Sequence, residues 1–256
     1  MNIRCRLITF NIAHGRGLSL YQGFVSQHKL RRTLKAIGAF ARESEADILA
    51  LQEVDLESHW NRGVNLLAAI QSESNHPFGV LGVNNRRVGR RSLAYGNGLL
   101  SHFPIAHWEN FPFGNATLGE KGFLHTELKI HDKILPVVNL HLDFRSAERR
   151  VRQLEKLVAH VRGLAVSPER FPPLFCGDFN CGPRGEEDAF RQLDDALRDT
   201  GDYRIYPVGE PTFPSLWPQQ KLDFVFLPAC FRVCFCEVPR IRLSDHCPVL
   251  LEFETA

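Results

Sequence analysis

"PPLFCGDFNCGP", residues 172–183, contains an apolar run, Pro173 to Cys176, that reads as a buried strand. The run then delivers Asp178 and Asn180 between two glycines, so a carboxylate and an amide leave the core on a tight turn. "LSDHCPVLLEF", residues 243–253, is the mirror image, with Asp245 and His246 just before a strand. Polar side chains at strand ends can meet on one rim.

Outward from these two stretches the chain alternates strands and helices. "CRLITFNI" (5–12) reads as a strand, rich in β-branched and aromatic residues. Leu30, Leu34, Ile37 and Ala41 recur at helical spacing, and "ADILALQEV" (46–54) follows as a buried strand. Residues 64–73 suggest a second helix. Four apolar runs, "FGVLGV" (78–83), "NGLLSHFPI" (97–105), "GFLHTELKI" (122–130) and "ILPVVNLHLDF" (134–144), carry turn signals between them and predict a meandering antiparallel sheet. Ser146 can cap a third helix, with Val151, Leu154, Leu157, Val158 and Val161 along one face. After the 172–179 strand, "EEDAFRQLDDAL" (186–197) predicts a fourth helix, and 222–228, 231–238 and 248–254 predict three closing strands. Helices interspersed among hairpin-like strand pairs argue for an α+β fold, with two sheets packed face to face and helices outside. No repeat, low-complexity tract or linker interrupts the chain, so a single domain over 1–256 is expected.

The bulk properties agree and exclude little. A chain of 256 residues with 44% hydrophobic content and 19 Phe can bury a sizeable core. A net charge of +2 gives no global argument for a nucleic-acid or membrane partner, so any basic patch must be local. The amino terminus lacks a secretory pattern, and no run approaches 18 apolar residues. Seven Cys with no metal-type CxxC pair read as buried reduced thiols of a cytoplasmic protein.

The polar residues that end apolar strands are Asn11, Glu53, His141, Asp178, Asn180, Asp223, Asp245 and His246. Each alone has an ordinary alternative: Asn11 as a turn former, Glu53 as a cap, His141 as a core histidine, Asp178 as turn chemistry. Asp223 inside "KLDFVF" is hardest to dismiss, because a buried carboxylate without a partner is costly. Together, carboxylates, amides and imidazoles are what a hard cation and a phosphate need.

The ordered set "FNI", "LQEV", "NLHL", "GDFN", "LDFVF" and "SDH.P" resembles the endonuclease/exonuclease/phosphatase superfamily, whose members include DNase I-like nucleases, neutral sphingomyelinases and inositol polyphosphate 5-phosphatases. The resemblance runs from Asn11 to Leu250 and implies a four-layer α/β/β/α sandwich of two mixed sheets. It also implies a hydrolase of phosphoester bonds dependent on Mg²⁺, with Mn²⁺ as a substitute. By motif, Glu53 would be the principal metal carboxylate, assisted by Asn11 and Asp245. Asp178 would orient or deprotonate the attacking water, and Asn180 would bond to the phosphate. His246 would contact phosphoryl oxygens, with Asp223 fixing its tautomer, and His141 would donate to another phosphate oxygen. One position departs: apurinic endonucleases carry an Asp two residues after the first Asn, where this chain has Ala13, followed by His14 and Gly15. That speaks against the DNA-repair branch.

The substrate is less legible. A phosphodiesterase acting on a small molecule or lipid headgroup is expected from the near-neutral charge and compact length. The nuclease alternative rests on two arginine clusters, "NNRRVGRRS" (84–92) and "RSAERRVRQ" (145–153), which otherwise read as a solvated hairpin tip and a helix face. Trp60, Phe213 and Trp217 could stack a base, meet lipid or pack a loop. A catalytically silent phosphate-binding module is the third reading, disfavoured by the intact motif set. A Ser hydrolase built on Ser244, Asp245 and His246 is excluded, because adjacent residues form no relay and no GxSxG elbow exists. A monomer is expected.

Overall fold

The computed structural model describes residues 3–115, 118–164, 167–182, 188–198 and 201–255. Residues 186 and 187 of the expected fourth helix lie outside them.

Two sheets of six strands carry the fold. The first is assembled from β1 (Arg4–Asn11), β2 (Ile48–Asp55), β3 (Phe78–Arg87) and β4 (Leu93–Ser101). The second begins with β5 (Ile105–Pro112), β6 (Gly122–Ile130), β7 (Lys133–His141), β8 (Leu174–Asp178) and β9 (Tyr203–Tyr206), and takes β10 (Asp223–Pro228) between β8 and β9. The chain then returns to the first sheet with β11 (Phe231–Glu237) and β12 (Val249–Thr255), giving the order β11-β12-β1-β2-β4-β3 against β5-β6-β7-β8-β10-β9. Each sheet has one parallel pair, β1 with β2 and β7 with β8, and the rest are antiparallel, so both are mixed.

Helices α1 (Gln27–Glu43) and α2 (Leu66–Ser74) cover the first sheet, and α3 (Ala147–Arg162) and α4 (Asp188–Arg198) the second. The caps are those the sequence suggests or their equivalents. Ser146 accepts from Arg149 N at 3.3 Å, Ser26 from Lys29 N at 3.2 Å and Asn65 from Ala68 N at 3.0 Å. Three apolar layers follow. Leu7, Ile48, Leu99, Val137, Leu174 and Val249 meet between the sheets. Ile8, Phe10, Leu34 and Ile37 join α1 to the first sheet, and Leu140, Leu157, Phe175 and Leu193 join α3 and α4 to the second. This is the expected α/β/β/α sandwich.

Strand alternation explains where the site sits. Along β1 the residues facing the second sheet are Cys5, Leu7, Thr9 and Asn11, and along β7 they are Leu135, Val137, Asn139 and His141. Both series turn from apolar to polar at the same end. Gln52 Nε2 bridges the sheets there by donating to Thr9 Oγ1 at 3.0 Å and Asn139 Oδ1 at 2.7 Å. Asn139 Nδ2 in turn lies 2.9 Å from both the Leu51 and Gly98 carbonyls. These buried amides tie the two sheets together at the mouth, while Gln52 Oε1 has no hydrogen-bond partner among the described residues.

Two strands escaped the sequence patterns. Residues 106–112 of β5 fall in none of the expected runs, because its exposed residues show no alternation, and β9 is only 4 residues long. The thiols also differ in part from expectation. Cys5, Cys176, Cys181 and Cys247 are buried, but Cys230 and Cys234 are exposed, the latter in the register break of β11; none of the seven forms a disulfide. Among the described residues no helix is long and apolar enough to cross a membrane.

Candidate active site

Asp178 is the hub. It ends β8, whose last turn requires Gly177: at φ 141°, a Cβ there would lie 1.9 Å from the Leu140 carbonyl oxygen. That close approach of β7 and β8 brings His141 opposite Asp178 in register. Asp178 Oδ2 accepts from Asn11 Nδ2 at 2.9 Å, and lies 3.3 Å from His141 Nε2 and 3.8 Å from His246 Nε2. Its other oxygen accepts from Asn180 N at 3.0 Å. Asn180 itself is left-handed (φ 51°) and anchors its amide nitrogen on the Leu142 carbonyl at 3.0 Å. The tight turn after Asp178 thus aims both side chains at one place.

His246 is held between two carboxylates. Its Nδ1 lies 2.9 Å from Asp223 Oδ2, and Asp223 stands opposite Asp178 in the β8–β10 ladder. Burial alone would lower the His246 pKa, but the charges of Asp223 and then Asp178 outweigh it and push it up to about 10. For Asp178, burial outweighs His246 and raises the carboxyl above its ordinary value, with Asp223 adding to the rise. The described residues hold one tight group of metal-type donors, Asp178, Asp223 and His246. Within that group the charges of Asp223 and Asp178 favour the protonated imidazole. Asp223 Oδ1 is buried and has no hydrogen-bond partner among the described residues.

Glu53 reaches the same rim by a different device. The register of β2 against β4 slips between Leu51 and Val54, and Glu53 takes φ 56° in the resulting bulge. Its carboxylate receives the Lys121 ammonium at 3.1 Å and faces His14 Nε2 at 3.6 Å. Burial would raise its pKa, yet Lys121 and His14 hold it well below the usual carboxylate range. Lys121 Nζ also lies 3.4 Å from His141 Nδ1. Burial first, then Lys121, keeps the His141 pKa well below the ordinary imidazole value.

Asp245 joins through Ser244, whose Oγ donates to the Asn11 carbonyl at 2.7 Å and lies 3.2 Å from Asp245 Oδ1. Asp245 Oδ2 takes Arg16 Nη2 at 2.5 Å. All eight residues singled out from the sequence therefore lie in one connected network at the mouth between the sheets.

Sequence reasoning missed three members. Lys121 precedes a strand, where a lysine ordinarily solvates itself. His14 drew notice only as a neighbour of Ala13; both residues are left-handed, and His14 Nδ1 pairs with the fully buried Asp55 Oδ2 at 3.0 Å. Asp55 also accepts from Trp60 Nε1 at 3.0 Å and Asn61 Nδ2 at 2.5 Å. The left-handed pair Ala13–His14 was the available signal, and it lies in backbone geometry.

The Glu53 carboxylate is partly open to solvent beside Lys121, Asn11 Oδ1 accepts from Ala13 N at 3.0 Å, and oxygen donors of these kinds are the hard ligands that Mg²⁺ or Mn²⁺ takes.

A doubly layered sandwich with carboxylates, imidazoles and amides converging at one end of its inner seam defines the class. The chain belongs to the Endonuclease/Exonuclease/phosphatase family, which it matches over residues 8–246. It is 25% identical over 244 residues to the uncharacterized protein YbhP of Escherichia coli K12, covering 92% of this chain and 93% of that one. Among solved structures it resembles the endonuclease/exonuclease/phosphatase from Bacteroides vulgatus, with TM-score 0.74 and 18% identity over 99% of this chain and 100% of that one. It also resembles Danio rerio TDP2 complexed with a single-strand DNA product, with TM-score 0.68 and 13% identity over 98% and 99%.

Proposed function

We propose that this protein is a divalent-metal-dependent phosphodiesterase. The supporting observation is the convergence of Asn11, His141 and His246 on one oxygen of Asp178, with Asp223 behind His246. Glu53, with Asn11 and Asp245, would hold Mg²⁺ or Mn²⁺. The metal would supply Lewis-acid polarisation of the phosphate and neutralise its developing charge. Asp178 accepts the proton of the attacking water; its raised pKa brings it nearer the operating pH, where a general base works best. His246, charged because of Asp223, presents Nε2–H to the phosphoryl oxygens. Asn180 fixes the phosphate from the turn after β8, and neutral His141 adds a donor and steadies Asp178. Uncatalysed phosphodiester hydrolysis demands a barrier reduction on the order of 20 kcal/mol, which no one of these groups supplies.

A reducing cytoplasm suits seven cysteines that form no disulfide. The experiment is release of p-nitrophenol from bis-p-nitrophenyl phosphate with Mg²⁺, Mn²⁺ or EDTA. Metal-dependent turnover that Asp178→Asn lowers by roughly 10³-fold or more, with the melting temperature little changed, supports the reading. Silence with both metals, or large unfolding of the variant, refutes it.

A further inference from the structure

Six of the exposed large apolar side chains gather at one end of the sandwich. Leu20 is 100% exposed, Phe24 86% and Trp217 66%, and Leu118, Phe144 and Leu216 are each more than half exposed. All lie in loops that leave the strands at the mouth end, and contacts tie each loop to the site. Gln22 Nε2, between Leu20 and Phe24, donates to the His14 carbonyl at 3.2 Å. Gly119 N, next to Leu118, donates to Tyr95 Oη at 2.8 Å, and the Tyr95 ring stands 4.9 Å from that of His14. Phe144 lies 5.9 Å from the Lys121 ammonium. Ser215 N, beside Leu216, donates to the Asp245 carbonyl at 2.7 Å, and Phe213 lies 4.8 Å from the His246 ring. Four separate loops thus ring the catalytic network with exposed apolar tips. At the opposite end of the sandwich, Phe78 is the one large apolar side chain of the described residues that counts as exposed, at 36%.

The mouth end is also cationic: exposed Arg62, Arg90, Arg91, Arg145, Arg240 and Arg242 lie in its loops, against the exposed acids Glu57 and Glu210 among the described residues of those loops. The near-neutral total charge conceals this local excess. Both basic clusters, the β3–β4 hairpin tip and the start of α3, open onto this end. Arg149 and Arg152 also line a cleft of about 360 Å³ with Phe113, Leu118 and Asp143, bordering Lys121 through Glu120.

We propose that the rim of the mouth is a membrane-docking surface, on which apolar tips such as Leu20, Phe24 and Trp217 enter an anionic lipid bilayer while the rim arginines meet its phosphates. A polyanionic strand would use the arginines and could stack on the aromatics, but it offers no apolar contact to Leu20, Leu118 and Leu216, which a lipid interior would cover. Arginine at the headgroup level with aliphatic and aromatic side chains below it is the pattern of an interfacial anchor. Resting on the phosphodiesterase reading, this surface brings the mouth against phospholipid headgroups and makes their phosphodiesters the substrate class.

The test is co-sedimentation of the full chain with sucrose-loaded vesicles of phosphatidylcholine, with and without phosphatidylglycerol. The full chain is expected to bind the anionic vesicles, and Leu20→Ser with Phe24→Ser to lower partitioning about tenfold or more. Turnover of soluble bis-p-nitrophenyl phosphate should be unchanged in that variant, and Phe235→Ser, on an exposed strand face away from the rim, should bind as the parent does. No vesicle binding overturns the proposal. So does binding that the double substitution leaves intact, or a double variant whose lost affinity is for a single-stranded oligonucleotide instead. Vesicle binding by a protein inactive on every diester would sink the catalytic reading and leave the docking surface standing.

Discussion

Asp223→Asn removes one charge and keeps the shape, so it isolates what the buried carboxylate does for His246. The imidazole stands at about 10 rather than its ordinary 6.5, a differential stabilisation of the charged form of about 5 kcal/mol. Asp223 is the larger of the two carboxylate contributions that together outweigh burial, so the substitution should withdraw about 3 kcal/mol or more. Transition-state stabilisation lost in that amount lowers turnover by about 10²-fold or more. The limb of the pH profile on which activity falls with rising pH should move toward neutrality, because the weakened imidazolium deprotonates earlier. Steady-state hydrolysis of bis-p-nitrophenyl phosphate across pH 6–10 measures both effects, with thermal denaturation as the control for folding. Turnover within threefold of the parent and an unmoved alkaline limb would refute the relay, leaving Asp223 as a structural group.

Other expected outcomes follow from single contacts. Gly177→Ala forces a Cβ against the Leu140 carbonyl at a φ that side chains rarely adopt; it should cost about 3 kcal/mol or more and lower the melting temperature by roughly 6–12 °C. An unchanged melting temperature would contradict the close approach. Lys121→Met strips Glu53 of its ammonium, so Mg²⁺ should raise the melting temperature of this variant more than that of the parent; an equal shift would argue against a cation at Glu53. His76 and His125 are buried and lowered to about 4, burial being the main cause and the neighbouring His102 and His160 adding to it. Their folded pKa values lie below the unfolded 6.5, so the stability they confer is complete above pH 6.5 and is lost as pH falls toward 4. Each should cost about 1–2 kcal/mol between pH 7 and 5 in urea denaturation. A slope unchanged by His76→Phe and His125→Phe would contradict this.

The site was legible because strand ends announce themselves. Asp178, Asp223 and His246 each break an apolar run, and no other economical reason exists for a carboxylate inside "KLDFVF". The layers were legible for the same reason: alternation along β1 and β7 sorts each residue to one side of a sheet. What stayed hidden depends on tertiary geometry. Lys121 matters only because the start of β6 lies across from the β2 bulge, and a bulge has no signature in "ALQEVD". Asp55 could not be told from a solvated turn residue until His14, Trp60 and Asn61 closed over it. The rim was hidden differently. Leu20, Leu118 and Trp217 are far apart in the chain, and total charge averages the basic loops with acids elsewhere.

The central claim is that Glu53 and Asp178 frame one divalent cation and one phosphate at the mouth of the double sheet. Anomalous diffraction from crystals soaked in Mn²⁺ and phosphate tests it most directly. The account predicts a manganese peak bonded to a Glu53 oxygen, with phosphate within hydrogen-bonding reach of His246 and Asn180. A peak held elsewhere, such as between His125 and His160, with Glu53 still bound only to Lys121, would contradict it.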